Sequence, residues 1–536
     1  MNSPTQNPNV MRAILNSMIL NGDYDNARIL LLSTKITKVV LDLNKSDFKC
    51  NYTLVCALHK NNWEIVRTLF EYAEENNIIL DLNVIDGRSN FPLLMALDNK
   101  NIKMVKYIMD YADKHNIIMN VNLVHYDGFY PFISSLTSNN VEMVKLLMNY
   151  ADKTNQVLNL KGSFMETSPL NYSLIRNTTD IVKVFMDYAD RKAILLDINE
   201  KDIKNGQTPL LIAIFHGDYD KTKLIIDYAE RHNILLDLNE QDHATKLTPI
   251  FASILLKKID IAQLIIDYAN KYNIILDLNK KRATGDNLLL YTVFNEEIEG
   301  FKLIMNYAKE KNIILDVNER IGEKYNSLLY ATSKSNIEII KLLLDYSKSN
   351  DTILEMDAED YSSILGAINI KNVELLKLIL DYSVEKHIQL KLDEPKASGD
   401  SLFLIAINKN NSELVKLMIE YAKRSNILID INKKNKSMNE TFLTMAIDKN
   451  NVESVKLITD YAIENHIIID LKEKDIKTII SRNYQDAIKS IADIDIEIIK
   501  ILQKCEKEKQ LIIQYNENSE LKERFLSINL SSLSFN

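Results

Sequence analysis

The chain has 536 residues, of which 46% are hydrophobic and 26% are charged, a composition typical of a folded protein that buries a large core without metal ions or disulfides. Its formal net charge is −9, with acidic and basic residues interleaved, which argues against a nucleic acid or an anionic membrane as the main ligand. Cys50, Cys56 and Cys505 form neither a disulfide framework nor a metal-ligand spacing, so we expect reduced, buried thiols in the cytoplasm.

In chain order, the sequence predicts five segments. Residues 1–10 are a flexible N-terminus, polar and without the features of a secretory signal, and 11–49 form an irregular capping repeat. Residues 50–471 form a repeat array, 472–515 a second irregular capping repeat, and 516–536 a flexible polar tail. Terminal repeats differ from the others because each covers an exposed face of the core. No run of about 20 apolar residues predicts a membrane-spanning helix.

A tyrosine followed by a small residue recurs through the array at intervals of 36 to 40 residues. Fifteen residues before it stands Ala, Ser or Thr, which indicates a close approach of two helices. Five residues before it, ten of eleven units carry Lys or Arg, which indicates a solvated helix edge. We expect the tyrosine ring to pack between repeats with its hydroxyl on a polar group or water; the alternative is an aromatic binding stripe. The tyrosines are Tyr72, Tyr111, Tyr150, Tyr188, Tyr228, Tyr268, Tyr307, Tyr346, Tyr382, Tyr421 and Tyr461.

The unit is clearest between Asn205 and Asp242. A turn at 206–209 leads to a first helix with an apolar stripe at helical spacing, and a second helix containing Tyr228 follows. The segment 233–239 then returns the chain to the next turn. Helices of two to four turns do not persist alone, whereas stacked neighbours bury each other's faces. The sequence therefore predicts an all-α solenoid of about 13 stacked helix-turn-helix units with irregular terminal caps.

The segment 208–213, Thr-Pro-Leu-Leu-Ile-Ala, resembles the T-P-L-H-x-A signature of the ankyrin repeat family, with leucine in place of histidine. The ankyrin unit takes about 20 residues from the signature alanine to its closing asparagine, whereas Ala213 to Asn239 takes 26. Ankyrin repeats normally have a helix-ending glycine where this chain has Ala229 and its equivalents, so the second helix should run on by one to two turns. The resemblance implies divergent, lengthened ankyrin repeats of about 39 residues.

The pattern of polar residues predicts no chemistry. The eight histidines form no H-x-x-x-H or H-E-x-x-H motif, and we expect the similarly placed His115, His232, His387 and His466 to be solvated positions after second helices. There is no glycine-rich phosphate loop and no nucleophile elbow. An acid directly precedes nine of the eleven tyrosines, one per repeat, and predicts an exposed ladder rather than a converging acid–base pair. We predict no catalytic residue, no metal, no cofactor and no enzyme activity.

Function should lie where the repeats differ: in the fingers, which connect a closing asparagine to the next first helix, and on the outward face of that helix. In ankyrin proteins these surfaces form the concave partner-binding side, which the resemblance implies here. Aromatic side chains in an exposed finger are candidate interface anchors; the alternative is that Phe129 or Phe164 packs inward against an adjacent finger. The candidate partner-binding residues are Tyr126, Phe129, Tyr130, Phe164, Met165, His243 and Arg282.

The sequence thus predicts a monomeric cytoplasmic scaffold or adaptor that binds a partner protein, and neither nucleic acid nor membrane, through the concave finger and first-helix surface. The alternative is a substrate-recruiting or regulatory subunit of an enzyme complex, such as a ubiquitin ligase, acting through a terminal segment. Truncation of 516–536 distinguishes the two, because it abolishes recruitment in the second case and leaves partner binding intact in the first.

Overall fold

The computed structural model describes residues 7–49, 51–162, 164, 166–320, 325–358, 361–395, 399–434, 440–472, 493–514 and 525. The chain divides into two compact units, Met1–Asp277 and Leu278–Asn536. Both units consist of helix pairs in which a short first helix precedes a longer second helix, as the repeat predicted.

The first unit contains seven helix pairs. Six of its seven first helices begin at or next to a proline, whose fixed φ suits the first helical turn. Thr208 shows the accompanying cap, because its hydroxyl accepts a hydrogen bond from Leu211 N at 3.3 Å. The helices are α1 Pro8–Leu20, α2 Tyr24–Thr37, α3 Thr53–His59, α4 Trp63–Glu75, α5 Pro92–Asp98, α6 Ile102–Lys114, α7 Pro131–Thr137, α8 Val141–Lys153, α9 Pro169–Arg176, α10 Thr179–Arg191, α11 Pro209–Phe215, α12 Tyr219–His232, α13 Pro249–Leu255 and α14 Ile259–Lys271.

Among the described residues, the second unit contains five helix pairs, one further helix and two small sheets. Strands β1 and β2 are antiparallel, whereas β3 and β4 are parallel. The elements are α15 Leu288–Phe294, α16 Ile298–Lys311, α17 Ser327–Ser333, α18 Ile337–Ser349, β1 Asp357–Ala358, β2 Tyr361–Ser362, α19 Ser363–Asn369, α20 Val373–Glu385, α21 Leu402–Asn408, α22 Ser412–Arg424, α23 Phe442–Asp448, α24 Val452–Glu464, β3 Ile469–Lys472, α25 Asp493–Lys507 and β4 Leu511–Gln514.

Within each unit the helices stack in two layers, with first helices against first helices and second helices against second helices. The small residue predicted at the close approach of helices is buried in every repeat, which confirms that prediction. Serine is tolerated there because its hydroxyl bonds within its own helix; Ser135 Oγ, for example, donates to Phe132 O at 2.6 Å. These buried residues are Ala57, Ala96, Ser135, Ser173, Ala213, Ser253, Thr292, Ala331, Ala367, Ala406 and Ala446.

Each second helix continues for about one turn beyond its tyrosine, as the missing glycine predicted. Helix α4, for example, runs three residues past Tyr72, and the left-handed residue that ends the turn is Asn77, at φ 54°. Asparagine is the residue other than glycine that enters this region most readily. Its use five residues after the tyrosine recurs at Asn116, Asn155, Asn233, Asn273, Asn312 and Asn426.

In most repeats the tyrosine hydroxyl joins the second helix to the closing segment of the preceding repeat in the same unit. Tyr150 Oη accepts a hydrogen bond from Met119 N at 2.9 Å and donates to Ile117 O at 3.3 Å. The ring is buried, so the structure confirms a packing role for these tyrosines. The same bond from a backbone N–H reaches Tyr72, Tyr111, Tyr188, Tyr228, Tyr268, Tyr346, Tyr382, Tyr421 and Tyr461.

The closing asparagine forms a second link between repeats. Asn122 Nδ2 donates to Val157 O at 2.7 Å, and its Oδ1 accepts from Asn159 N at 2.9 Å. One side-chain amide therefore satisfies two backbone groups of the following repeat. The same pair of bonds is made by Asn44, Asn83, Asn199, Asn239, Asn279, Asn318 and Asn432.

The lysine or arginine five residues before each tyrosine forms an exposed edge, as predicted. Some of these cations pair within their own helix, as Arg67 does with Glu71 at 2.7 Å. Others reach the next repeat, as Lys106 does with Glu142 at 2.6 Å. Exposed pairs of this kind contribute little to the free energy of unfolding.

The chain ends differ from the predicted boundaries where the structure describes them. Helix α1 begins at Pro8, inside the predicted flexible segment 1–10, because the Asn7 side chain caps it. Phe525, in the predicted flexible tail, is buried, and its carbonyl accepts from Gln503 Nε2 at 2.6 Å. Three parts of the predicted terminal segments lie outside the described residues. They are residues 1–6 of the N-terminus, residues 473–492 and 515 of the C-terminal capping repeat, and the tail 516–536 apart from Phe525.

We predict that Tyr150→Phe lowers the free energy of unfolding by about 1–3 kcal/mol, because it leaves the buried Met119 N–H without an acceptor. The measurement is urea unfolding together with hydrogen exchange of the Met119 amide, which should lose protection. Tyr126→Phe is the matched control: Tyr126 is exposed, so this variant should unfold like the original protein. Equal stability of both variants would show that the hydrogen bond to the Tyr150 hydroxyl does not stabilise the fold.

We also predict that Asn122→Ala is more destabilising than Asn122→Asp. Alanine removes both bonds to the next repeat, whereas aspartate keeps the acceptor for Asn159 N. The chain itself carries aspartate at the equivalent position in the second unit, where Asp393 Oδ2 accepts from Asp430 N at 3.1 Å. Each bond contributes about 0.5–1.5 kcal/mol, so urea midpoints should fall in the order original, aspartate, alanine.

Candidate partner-binding fingers of the first unit

The fingers of the first unit are tight turns fixed by a recurring aspartate. Asp86 N donates to Asn90 O at 3.0 Å, and Asp86 Oδ1 accepts from the backbone N–H groups of Arg88 and Asn90, both at 2.8 Å. An aspartate side chain that accepts from nearby backbone N–H groups mimics and fixes a backbone turn. Asp47, Asp202 and Asp242 make equivalent bonds in their own fingers.

The charged form of Asp47 is itself stabilised by its finger. Burial opposes ionisation, but hydrogen bonds from Asn51, Asn16 and Lys49 outweigh it and lower the pKa of Asp47 below 3.8. Since the folded-state pKa is depressed, the stabilisation is complete at neutral pH and is lost as the pH falls through that lowered pKa.

The residue directly after the recurring aspartate position forms the tip of the finger where the structure describes it, and we call this set the fingertip row. Its large apolar members are mostly exposed: Phe48 by 82%, Tyr126 by 77% and Ile203 by 72%. The candidate residues predicted from the sequence include Tyr126 and His243 of this row but not Phe48 or Ile203. The repeat spacing could have identified Phe48 and Ile203, because every member of the row stands fifteen residues after the tyrosine position of its repeat. The row is Phe48, Gly87, Tyr126, Ile203 and His243.

Tyr126 lies on a preformed turn. His125 N donates to Phe129 O at 2.7 Å, and Gly128 N donates to His125 O at 2.9 Å. The buried His125 takes the place of the recurring aspartate, and its Nδ1 lies 2.5 Å from Asp127 Oδ1. The His125 and Tyr126 rings are 4.2 Å apart between centroids, so one face of Tyr126 is supported and the other is open to solvent.

Tyr130 and Phe164 are not exposed finger residues, and the expectation that they are accessible to a partner requires correction. Both side chains are buried. The rings of Phe129 and Phe164, which belong to adjacent fingers, pack together with their centroids 4.2 Å apart. The inward-packing alternative therefore holds for Phe164, while Phe129 is half-buried. Met165 lies outside the described residues.

His243 and Arg282 occupy different surroundings. His243 is exposed, its N–H donates to Asn205 O at 2.8 Å, and its ring covers Gly206 of the preceding finger. Arg282 belongs to the second unit, where its Nε lies 2.8 and 2.9 Å from the two carboxylate oxygens of Asp286. Among the candidates in the first unit, Tyr126 and His243 are exposed on different fingers and Phe129 is half-buried.

The described residues contain no group of three or more His, Cys, Asp or Glu side chains placed to hold a metal ion. Burial raises the pKa of Cys56 to about 12 and that of Cys505 to about 11, so both stay thiols at neutral pH. His115 follows α6 and His232 is the last residue of α12, and neither is the fully solvated position that was predicted: both are half-buried, each 2.7 Å from an acid of the preceding repeat, Glu74 and Asp190 respectively.

Within the described ranges, every helix is too short or too polar to span a lipid bilayer.

We predict that Gly206→Ala destabilises the protein more than Gly128→Ala. Both glycines have positive φ, so alanine costs about 1–2 kcal/mol at either site. A Cβ at Gly206 would also overlap the His243 ring, whereas a Cβ at Gly128 meets no atom within 4 Å. Urea midpoints and the rate of His243 modification by diethyl pyrocarbonate measure the two effects; equal midpoints would contradict the packing of His243 on Gly206.

The repeat architecture matches a known family. The family model described as ankyrin repeats (3 copies) matches residues 54–157, 137–234 and 363–469, which together exceed half of the chain. No curated protein matches the chain. Ankyrin repeats are generally protein–protein interaction modules. The helix pairs, the buried small residues and these matches show that the chain belongs to the ankyrin repeat family.

Proposed function

We propose that the protein is an interaction scaffold or adaptor that binds a partner protein through the finger and first-helix surface of its first unit. The fingertip row carries this proposal. Phe48, Tyr126 and Ile203 are more than seven-tenths exposed, although each side chain is apolar or aromatic. Large, mostly exposed side chains at the tips of fixed turns are candidate anchors for a partner.

The rigidity of the fingers supports the same function. The aspartate bonds and backbone bonds described above fix each turn before binding, so little conformational entropy is lost when a partner docks. An aromatic side chain on a fixed turn is the usual form of an interface anchor. Tyr126, supported on one face by His125, is the strongest anchor in the row.

Specificity would come from the differences along the row. Stacked helices are about 8–10 Å apart, so the fingertips form an evenly spaced series of sites. Among the described residues the series reads Phe, Gly, Tyr, Ile and His, while the supporting framework repeats. We further propose that the protein acts in the cytoplasm, which the buried free thiols Cys56 and Cys505 support, and that it acts as a monomer.

The test is site-specific photocrosslinking. A photoreactive phenylalanine is placed at Phe48, Tyr126 or Ile203, and the matched control carries it at Lys145, an exposed position on α8. We expect the same partner to crosslink to the fingertips and not to Lys145. Equal crosslinking from Lys145 would contradict the proposal.

The isolated partner then allows an affinity measurement. Tyr126→Ala should weaken binding by about tenfold or more, as loss of an anchor does, whereas Lys145→Ala should change it by less than about twofold. Circular dichroism should be unchanged in both, because both positions are exposed. Undiminished affinity of a Phe48→Ala/Tyr126→Ala variant would remove the fingertip row from the interface.

A further inference from the structure

A second regular surface of the first unit lies on the closing segments, the extended stretches after each second helix. Side chains there alternate between core and solvent: Leu80 and Leu82 are buried, whereas Ile79 and Asp81 are exposed. Alternation with a period of two is the geometry of an extended chain. Each repeat thus presents two outward side chains from one fixed backbone, and we call the set the closing-segment ladder.

The first outward position is aliphatic in all seven repeats of the first unit. These side chains are between 49% and 60% exposed. In the second unit the equivalent residues are the exposed Ile314, Ile353, Leu428 and Ile468 and the exposed Gln389, so the fold tolerates a polar residue at this position. Burial in the core therefore does not explain why this position is aliphatic. The row is Val40, Ile79, Ile118, Val157, Leu195, Leu235 and Ile275.

The backbone that carries the ladder is held from both sides. Ile79 O accepts from Asn44 Nδ2 at 2.7 Å, and the next residue, Leu80, donates its N–H to Tyr111 Oη at 3.1 Å. The equivalent bonds hold Ile118 O through Asn83 and Met119 N through Tyr150. A partner would therefore meet a preordered row, so that binding costs little backbone entropy.

The second outward position gives the ladder a negative charge. Five of its seven residues are aspartate and two are asparagine, and all but the half-buried Asp42 are exposed. Asp42 lies 3.5 Å from Lys45. Such a negatively charged surface repels a second copy of itself, and it also repels anionic lipids and nucleic acids. The residues are Asp42, Asp81, Asn120, Asn159, Asp197, Asp237 and Asp277.

We propose that the closing-segment ladder of the first unit is a second docking surface, distinct from the fingers, and that it binds a basic amphipathic helix of a partner protein. Aliphatic side chains of that helix cover the aliphatic row, and its Lys or Arg side chains meet the flanking carboxylates. The spacing fits a helix lying along the ladder, since seven helical residues rise about 10.5 Å and stacked repeats are about 10 Å apart.

The test uses a fluorescein-labelled 21-residue helix-forming peptide with leucine at heptad positions and lysine on both flanks. The ladder variant is Ile79→Gln/Ile118→Gln/Leu195→Gln, which introduces the residue that the second unit already carries at Gln389. The matched control is Phe48→Gln/Ile203→Gln, which changes exposed apolar residues of the fingertip row. Fluorescence anisotropy gives the Kd of the peptide for each protein.

We expect the ladder variant to bind the peptide about tenfold more weakly and the fingertip control to bind within about twofold of the original protein. A peptide with glutamate in place of lysine should not bind, and Asp81→Lys/Asp197→Lys should weaken binding of the lysine peptide. Unchanged binding by the ladder variant, or an equal loss in the fingertip control, would overturn the proposal. The proposed function is tested by crosslinking at the fingertips, so either proposal can fail without the other.

Discussion

The hydrogen bond between each tyrosine hydroxyl and the closing segment of the preceding repeat is the interaction on which the rest of the structure depends. Away from the C-terminal strand pair, a closing segment is extended and lies outside the helices, so its buried backbone groups need other partners. Tyr150 supplies an acceptor to Met119 N and a donor to Ile117 O from within a packed second helix. The repeat can therefore lengthen without leaving buried backbone groups unsatisfied.

The closing asparagine completes this linkage on the solvent side. Asn122 bonds two backbone groups of the next repeat, at Val157 and Asn159, in the way that a paired strand would. At the C-terminal end the closing segments do pair directly, as the parallel strands Ile469–Lys472 and Leu511–Gln514. Amide ladder and strand pairing are two solutions to the same requirement, which is to satisfy extended chains stacked side by side.

Two surfaces of the first unit follow from this linkage. The fixed closing segments hold the fingers, and the fingers hold Tyr126 and Ile203 at their tips. The same segments turn an aliphatic and acidic ladder outward, with Ile79 and Asp81 as typical members. The fingertip row varies from repeat to repeat and suits selective recognition, whereas the ladder is uniform and suits a repetitive ligand. A scaffold with both could hold two partners at once.

The sequence alone determined the repeat, the helix pairs, the buried Ala213 and its equivalents and the extended second helix, because these depend on local periodicity and on residue type at one phase. Only the tertiary structure decided which finger residues are accessible. It buried Tyr130 and Phe164 and exposed Ile203, since those outcomes depend on contacts between fingers that are a whole repeat apart in sequence. The two hydrogen bonds of Asn122 could likewise not be predicted from the sequence, because their partners become neighbours only when the repeats stack.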